Sequence, residues 1–198
     1  MEERRVMEEL RLRAAEDLRV REELVAQGVL AEGYHPRMEA VHRENAAFLE
    51  ALLEEHGWPD AVRFGAEAAE AAWLIAQHAI GEPQRMRRFA RKLAEAARAG
   101  RVPRWQAAML EDRVRVIEGR PQIYGTQLEA DDEGRARPCA LLDPENVEAR
   151  RKEVGLPPLA ERLAAMERLP KPRDPERFAR EHAAWLERTG WRRGSSAT

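Results

Sequence analysis

Residues 118–128, EGRPQIYGTQL, are where the chain stops reading as helix. On both sides of this stretch apolar residues recur at three- and four-residue spacing, the helical period. Within it an alternating pattern takes over. Gln122, Tyr124, Thr126 and Leu128 fall on one face of a strand, and Ile123, Gly125 and Gln127 on the other. Asp131, Asp132 and Gly134 make a turn, and residues 135–141 return as a partner strand. The predicted fold class is therefore mainly α: a helical bundle of six to eight helices with one short β-hairpin insert near 121–141. Gly125 in mid-strand indicates close approach of another backbone or a ligand.

The helix before the insert, 103–118, begins at Pro103 and carries the stripe Trp105, Met109, Asp112 and Val116, with Leu110, Arg113 and Ile117 beside it. Asp112 thus faces the core. An unpaired carboxylate there costs several kcal/mol, so it needs a partner. Arg113, His78 and backbone N–H groups of the insert are the candidates. Further back, 65–80 (GAEAAEAAWLIAQHAI) is apolar around its circumference, as a central helix would be. Gln77 and His78 stand out at its C-terminal end. His78 is open to two readings, a structural ring helped by the helix dipole or a functional group.

Residues 83–99 form a helix between Pro83 and Gly100, and 37–56 another, with Asn45 on its apolar side as a core amide or a site residue. Residues 2–27 make a charged helix with the stripe Met7, Leu10, Ala14, Leu18 and Val25. Beyond the insert, Asp143-Pro144 reads as N-cap and first helical position for 144–154, and a helix at 158–168 follows Gly155. A stiff linker at 170–175 leads to a last helix from Pro175 to near Gly190, and the final GSSAT is expected to be disordered. The expected organisation is an accessory helix at 1–36, a helical core at 37–169 and a C-terminal accessory helix and tail at 170–198.

The net charge of −2 gives no case for nucleic acid or an acidic membrane surface as partner. Of 34 Lys and Arg only Lys92, Lys152 and Lys171 are lysines; the arginines read as solvated faces paired with Glu. Cys139 is the single cysteine, so no intramolecular disulfide forms, and it is read as an ordinary packed thiol. The N-terminal run carries charges throughout, with no signal-peptide core and no membrane span, so a cytoplasmic location is expected. GxGxxG, P-loop, HExxH, GxSxG and EF-hand signatures are absent. His35 and His42 are separated by seven residues with Pro36 between, which gives no metal-ligand spacing. Neither a metal nor a cofactor is expected.

Three runs, AAWLIAQHA (71–79), EDRVRVIEGRPQIYGTQ (111–127) and RRKEVGLPPL (150–159), resemble an uncharacterised, mainly bacterial family catalogued as a domain of unknown function. Its hallmarks are a tryptophan-bearing helix ending in Q-H-A, a D-R-V helix, a G-x-P-Q-x-Y-G-T-Q run and a closing V-G-L-P-P-L. The resemblance spans roughly 45–160. It implies that Gln77, His78, Asp112, Arg113, Gln122, Tyr124, Gly125, Thr126 and Gln127 are the positions to watch, and it leaves the terminal helices to docking or to a homodimer.

Two function classes follow. In the first, an enzyme or binder acts on a small polar, anionic molecule, with hydrolysis the commonest metal-free chemistry. His78 and Asp112 are its catalytic pair, Arg113 holds an anionic group, and Gln77, Gln122, Tyr124, Thr126 and Gln127 contact the ligand. In the second, an interaction module uses the same polar cluster only to fix the insert to the bundle.

Overall fold

A computed structural model of the chain describes residues 2–29, 33–166, 169 and 172–192. The expected tail at 194–198 and part of the expected linker at 170–175 lie outside the described residues. Two units are formed, Met1–Pro103 and Arg104–Thr198.

The first unit contains α1 (Glu2–Ala26), α2 (Pro36–His56), α3 (Ala61–Phe64), α4 (Ala66–His78) and α5 (Pro83–Arg98). Local sequence sets most of these boundaries. His35 caps α2 by accepting from the Arg37 N–H, and Pro36 occupies the first turn, where a missing N–H costs nothing. Asp60 accepts from the N–H groups of Val62 and Arg63 and starts the single turn α3, which periodicity alone is too short to reveal. α4 passes at His78 into a 3-10 turn, Ala79–Gly81, before Pro83 opens α5. α1 packs on α2, α3 and α4, and Leu10, Leu24, Leu49, Phe64, Ile75 and Phe89 are buried.

The buried face of α1 differs from the one expected. It consists of Leu10, Ala14, Asp17, Val20 and Leu24, whereas Leu18 and Val25 are about half exposed. A heptad spacing runs at 3.5 residues per turn and an α-helix at 3.6, so a stripe drawn by heptads drifts off the true face. The remaining cause is chemical: the true face contains a carboxylate.

The second unit contains α6 (Arg104–Ile117), the hairpin strands β1 (Leu128–Ala130) and β2 (Ala136–Pro138), α7 (Val147–Val154), α8 (Leu159–Met166) and α9 (Pro175–Thr189). The mainly α class with a short antiparallel hairpin is as expected; Leu128 pairs Pro138 and Ala130 pairs Ala136. The strands are shorter than the sequence suggested. Residues 122–127 are not strand but an irregular loop with one isolated bridge, Gln122 to Leu141. The Asp112 side chain, rather than a neighbouring strand, takes up the N–H groups of Ile123, Tyr124 and Thr126. Asp143 and Pro144 take the expected N-cap and first positions, but of a 3-10 turn rather than of the helix itself. Asp143 adopts a left-handed conformation (φ 56°) and makes no side-chain cap, and the 3-10 turn, Pro144–Asn146, precedes α7. At the end of the unit Arg192 donates to the carbonyls of Ile117 and Val116 in the last turn of α6, the second of which also accepts from the Gly119 N–H. Among the described residues the helices number nine, and none is long and apolar enough to cross a membrane.

Candidate functional site

In the second unit Asp112, wholly buried on α6, accepts from the N–H groups of Ile123 (2.7 Å), Tyr124 (3.1 Å) and Thr126 (3.0 Å) and from Thr126 Oγ1 (3.0 Å). Of the partners considered for it, the structure selects the main-chain N–H groups of the insert. They form a ready-made anion nest, and the chain's own carboxylate fills it. Gln122, also wholly buried, donates to the carbonyls of Gln127 and Cys139 and accepts from the Gln127 N–H. Gln127 Nε2 donates to Thr126 Oγ1.

Two arginines complete this frame. Arg150 donates to the carbonyls of Ile123, Leu142 and Asp143. Arg151, 2% exposed, donates to those of Pro157 and Tyr124. Gly125 adopts φ +69°, and a Cβ there would stand 3.3 Å from Leu159. The close approach expected at this glycine is to a leucine side chain. Tyr124 is partly exposed, and burial, with Asp112 and Glu111 nearby, pushes its phenol above the ordinary value. Arg113 is half-buried, and burial pushes its guanidinium down to about 10.

In the first unit three helices bring together residues far apart in sequence. Asp17 of α1 has no exposed surface. His78, at the end of α4, places Nδ1 2.9 Å and 3.0 Å from its two oxygens. His42 of α2 places Nε2 3.3 Å from Asp17 Oδ2. The other ring nitrogen of His42 lies 2.8 Å from the Tyr34 hydroxyl. The two imidazoles lie side by side, tilted by 43°, with centroids 5.1 Å apart. His42 is 7% exposed, while the His78 side chain keeps 19% of its surface in solvent. His78 is thus the open edge of the cluster.

Burial pushes the Asp17 carboxyl up, but the two histidines beside it outweigh that and hold it at about 2, so it stays ionised. Burial, with Glu39, Asp17 and Glu82 around it, raises the Tyr34 phenol, which keeps its proton. Gly81 makes room for this tyrosine: a Cβ at 81 would meet the ring at 3.2 Å. Asn45 serves as a core amide. It accepts from Arg13 Nη1 and donates to the Arg13 carbonyl, tying α2 to α1. Gln77 is buried on α4.

Of the site residues expected from sequence, the structure joins Asp112, Gln122, Thr126 and Gln127 with the main chain of Tyr124 in one frame, and it gives His78 a buried carboxylate, Asp17. Asp17, His42 and Tyr34 were missed. Asp17 leaves one faint signal: it completes the spacing Leu10, Ala14, Asp17, Val20, Leu24. His42 sits one residue from Val41 on a helix whose apolar face was already recognised.

No curated protein and no solved structure gives a significant match to the chain. One family model matches residues 9–169, a wider span than the 45–160 expected from the motifs, and it takes in Asp17 and most of α1. The chain accordingly belongs to DUF6624, a family of unknown function.

Proposed function

We propose that the protein acts on a small polar, anionic molecule and that its working centre is the Asp17–His42–His78–Tyr34 cluster of the first unit, with hydrolysis as the reaction class. The observation that carries this reading is the setting of His78: a partly exposed imidazole against a carboxylate with no exposed surface. Such a pair fixes the ring and sets which nitrogen is protonated, and an imidazole is the side chain that exchanges protons or binds ligands near neutral pH. An imidazole at the solvent edge suits an anionic group of the ligand. The frame around Asp112 is read differently. Its oxygens are engaged by the loop's own donors, which supports a positioning role for Asp112, Gln122 and Thr126.

The test compares His78→Gln with Asp112→Asn in a thermal-shift panel of carboxylates and phosphate esters, followed by turnover of the hits. His78→Gln should abolish ligand-induced stabilisation and turnover. Asp112→Asn should melt lower and keep the ligand response. Ligand binding and turnover unchanged in His78→Gln would remove the proposal.

A further inference from the structure

Hydrogen bonding accounts for only part of the first unit's cluster. His78 is satisfied by Asp17 through Nδ1 at 2.9 Å. His42 is not satisfied in the same way. Its Nδ1 faces the Tyr34 hydroxyl at 2.8 Å, whereas its Nε2, fully buried, makes no hydrogen bond. That nitrogen points into the cluster 3.3 Å from Asp17 Oδ2. Nε2 is thus held only by this longer contact to the buried carboxylate, a looser one than the bond His78 makes.

One donor atom from each of Asp17, His42 and His78 can be chosen so that all three lie within 4.8 Å of one another. The separations from Asp17 Oδ2, 3.0 Å to His78 Nδ1 and 3.3 Å to His42 Nε2, are those of neighbouring ligands around an ion with bonds of about 2.1 Å. The Tyr34 contact supplies the other usual feature, a polar partner on the far ring nitrogen that fixes the tautomer and aims Nε2 inward. Each donor rides on a separate helix, a rigid mounting.

We propose that Asp17, His42 and His78 bind a divalent transition-metal ion of the zinc type, with Tyr34 orienting His42. Two imidazole nitrogens and one carboxylate oxygen select against magnesium and calcium, which prefer oxygen throughout. Three protein ligands leave a coordination position for water or substrate, the pattern of a catalytic centre rather than a closed structural one. An ion here would also attract an anionic ligand. The inference rests on the reading of this cluster as the working centre, and it specifies what the centre holds.

The experiment uses the full chain, stripped with chelator and titrated with zinc chloride, with magnesium chloride and calcium chloride as separate arms. Calorimetry should give one zinc per chain, zinc should raise the melting temperature, and magnesium and calcium at the same concentration should do neither. His42→Gln and His78→Gln should each weaken zinc binding by more than ~100-fold, and Tyr34→Phe by ~10–100-fold, as loss of an outer partner does.

His56→Gln tests the other candidate group, Glu2, Glu55 and His56, and should bind zinc as the wild type does. Should the cluster variants fail to fold, cobalt added to the wild type decides the matter. It should broaden the imidazole NMR signals of His42 and His78 and leave those of His35, His56 and His182 sharp. Absence of zinc binding, loss of binding in His56→Gln, or broadening confined to other histidines would overturn the proposal. Zinc bound at this site without ligand binding or turnover would keep the ion and remove the proposed function. Ligand binding that depends on His78 and ignores both zinc and chelator would do the reverse.

Discussion

Asp112 and Arg151 hold the same residue of the loop by its two main-chain groups: the Tyr124 N–H donates to Asp112, and the Tyr124 carbonyl accepts from Arg151 Nη1 at 2.6 Å. Both side chains are buried, at 0% and 2% exposure. Burial pushes the Arg151 guanidinium below its ordinary value, with Glu148 and Asp112 pushing back. A loop that would otherwise bury unpaired polar groups is thereby satisfied by two opposite charges.

Removing the charge of Asp112 should therefore act on stability. Asp112→Asn turns one acceptor oxygen into a donor facing N–H groups, and a loss of about 3 kcal/mol is expected. Urea denaturation of Asp112→Asn, Arg151→Lys and the double variant checks it. The double variant should lose less than the sum of the singles, because both act on one loop. Strict additivity would show that the two do not cooperate.

Gly125 sits at φ +69° with Leu159 methyl carbons 3.3 Å and 3.4 Å from the place a Cβ would take. Gly125→Ala meets both the left-handed backbone penalty and the leucine, so about 2 kcal/mol should be lost. The midpoint of urea unfolding measures this, and an unchanged midpoint would contradict the geometry.

Gly81→Ala would push on the Tyr34 ring at 3.2 Å and on its hydroxyl at 3.4 Å. The tyrosine then shifts away from His42. Zinc affinity should fall by ~10-fold, within the range for a lost outer-partner contact. Circular dichroism should show the helical content of the wild type. Calorimetric titration gives the answer, with wild-type affinity as the contrary result.

Burial first and Glu129 second push the Cys139 thiol up to about 11. The thiolate is the reactive form, so a raised pKa means less of it at any pH below 11. Iodoacetamide labelling at about pH 8 should run roughly a hundredfold slower than for a free cysteine. It should accelerate as pH climbs toward 11 while the fold persists. Fast labelling at neutral pH would instead mark an activated nucleophile.

The helices, the hairpin and the inward face of Asp112 could be read from residues 2–192 because each depends on local chemistry. Periodicity marks the helices, Pro and Gly their ends, and one carboxylate at an apolar slot its own need for partners. The form of residues 122–127 could not be read this way. Alternation there is compatible with a strand, and only the arrival of the Asp112 carboxylate supplies acceptors that release those N–H groups from a partner strand. The cluster in the first unit lay further still from local reading. Asp17 and His78 are 61 residues apart. On a helix dense with Glu and Arg, Asp17 looks like one more solvated charge until burial distinguishes it. His42 looks like any helical histidine until Asp17 and Tyr34 close around it. Sequence determined which long segments are helical and that Asp112 faces inward on its stripe. Tertiary packing alone decided which side chains meet, because contact between separate helices depends on their crossing, which no single helix encodes.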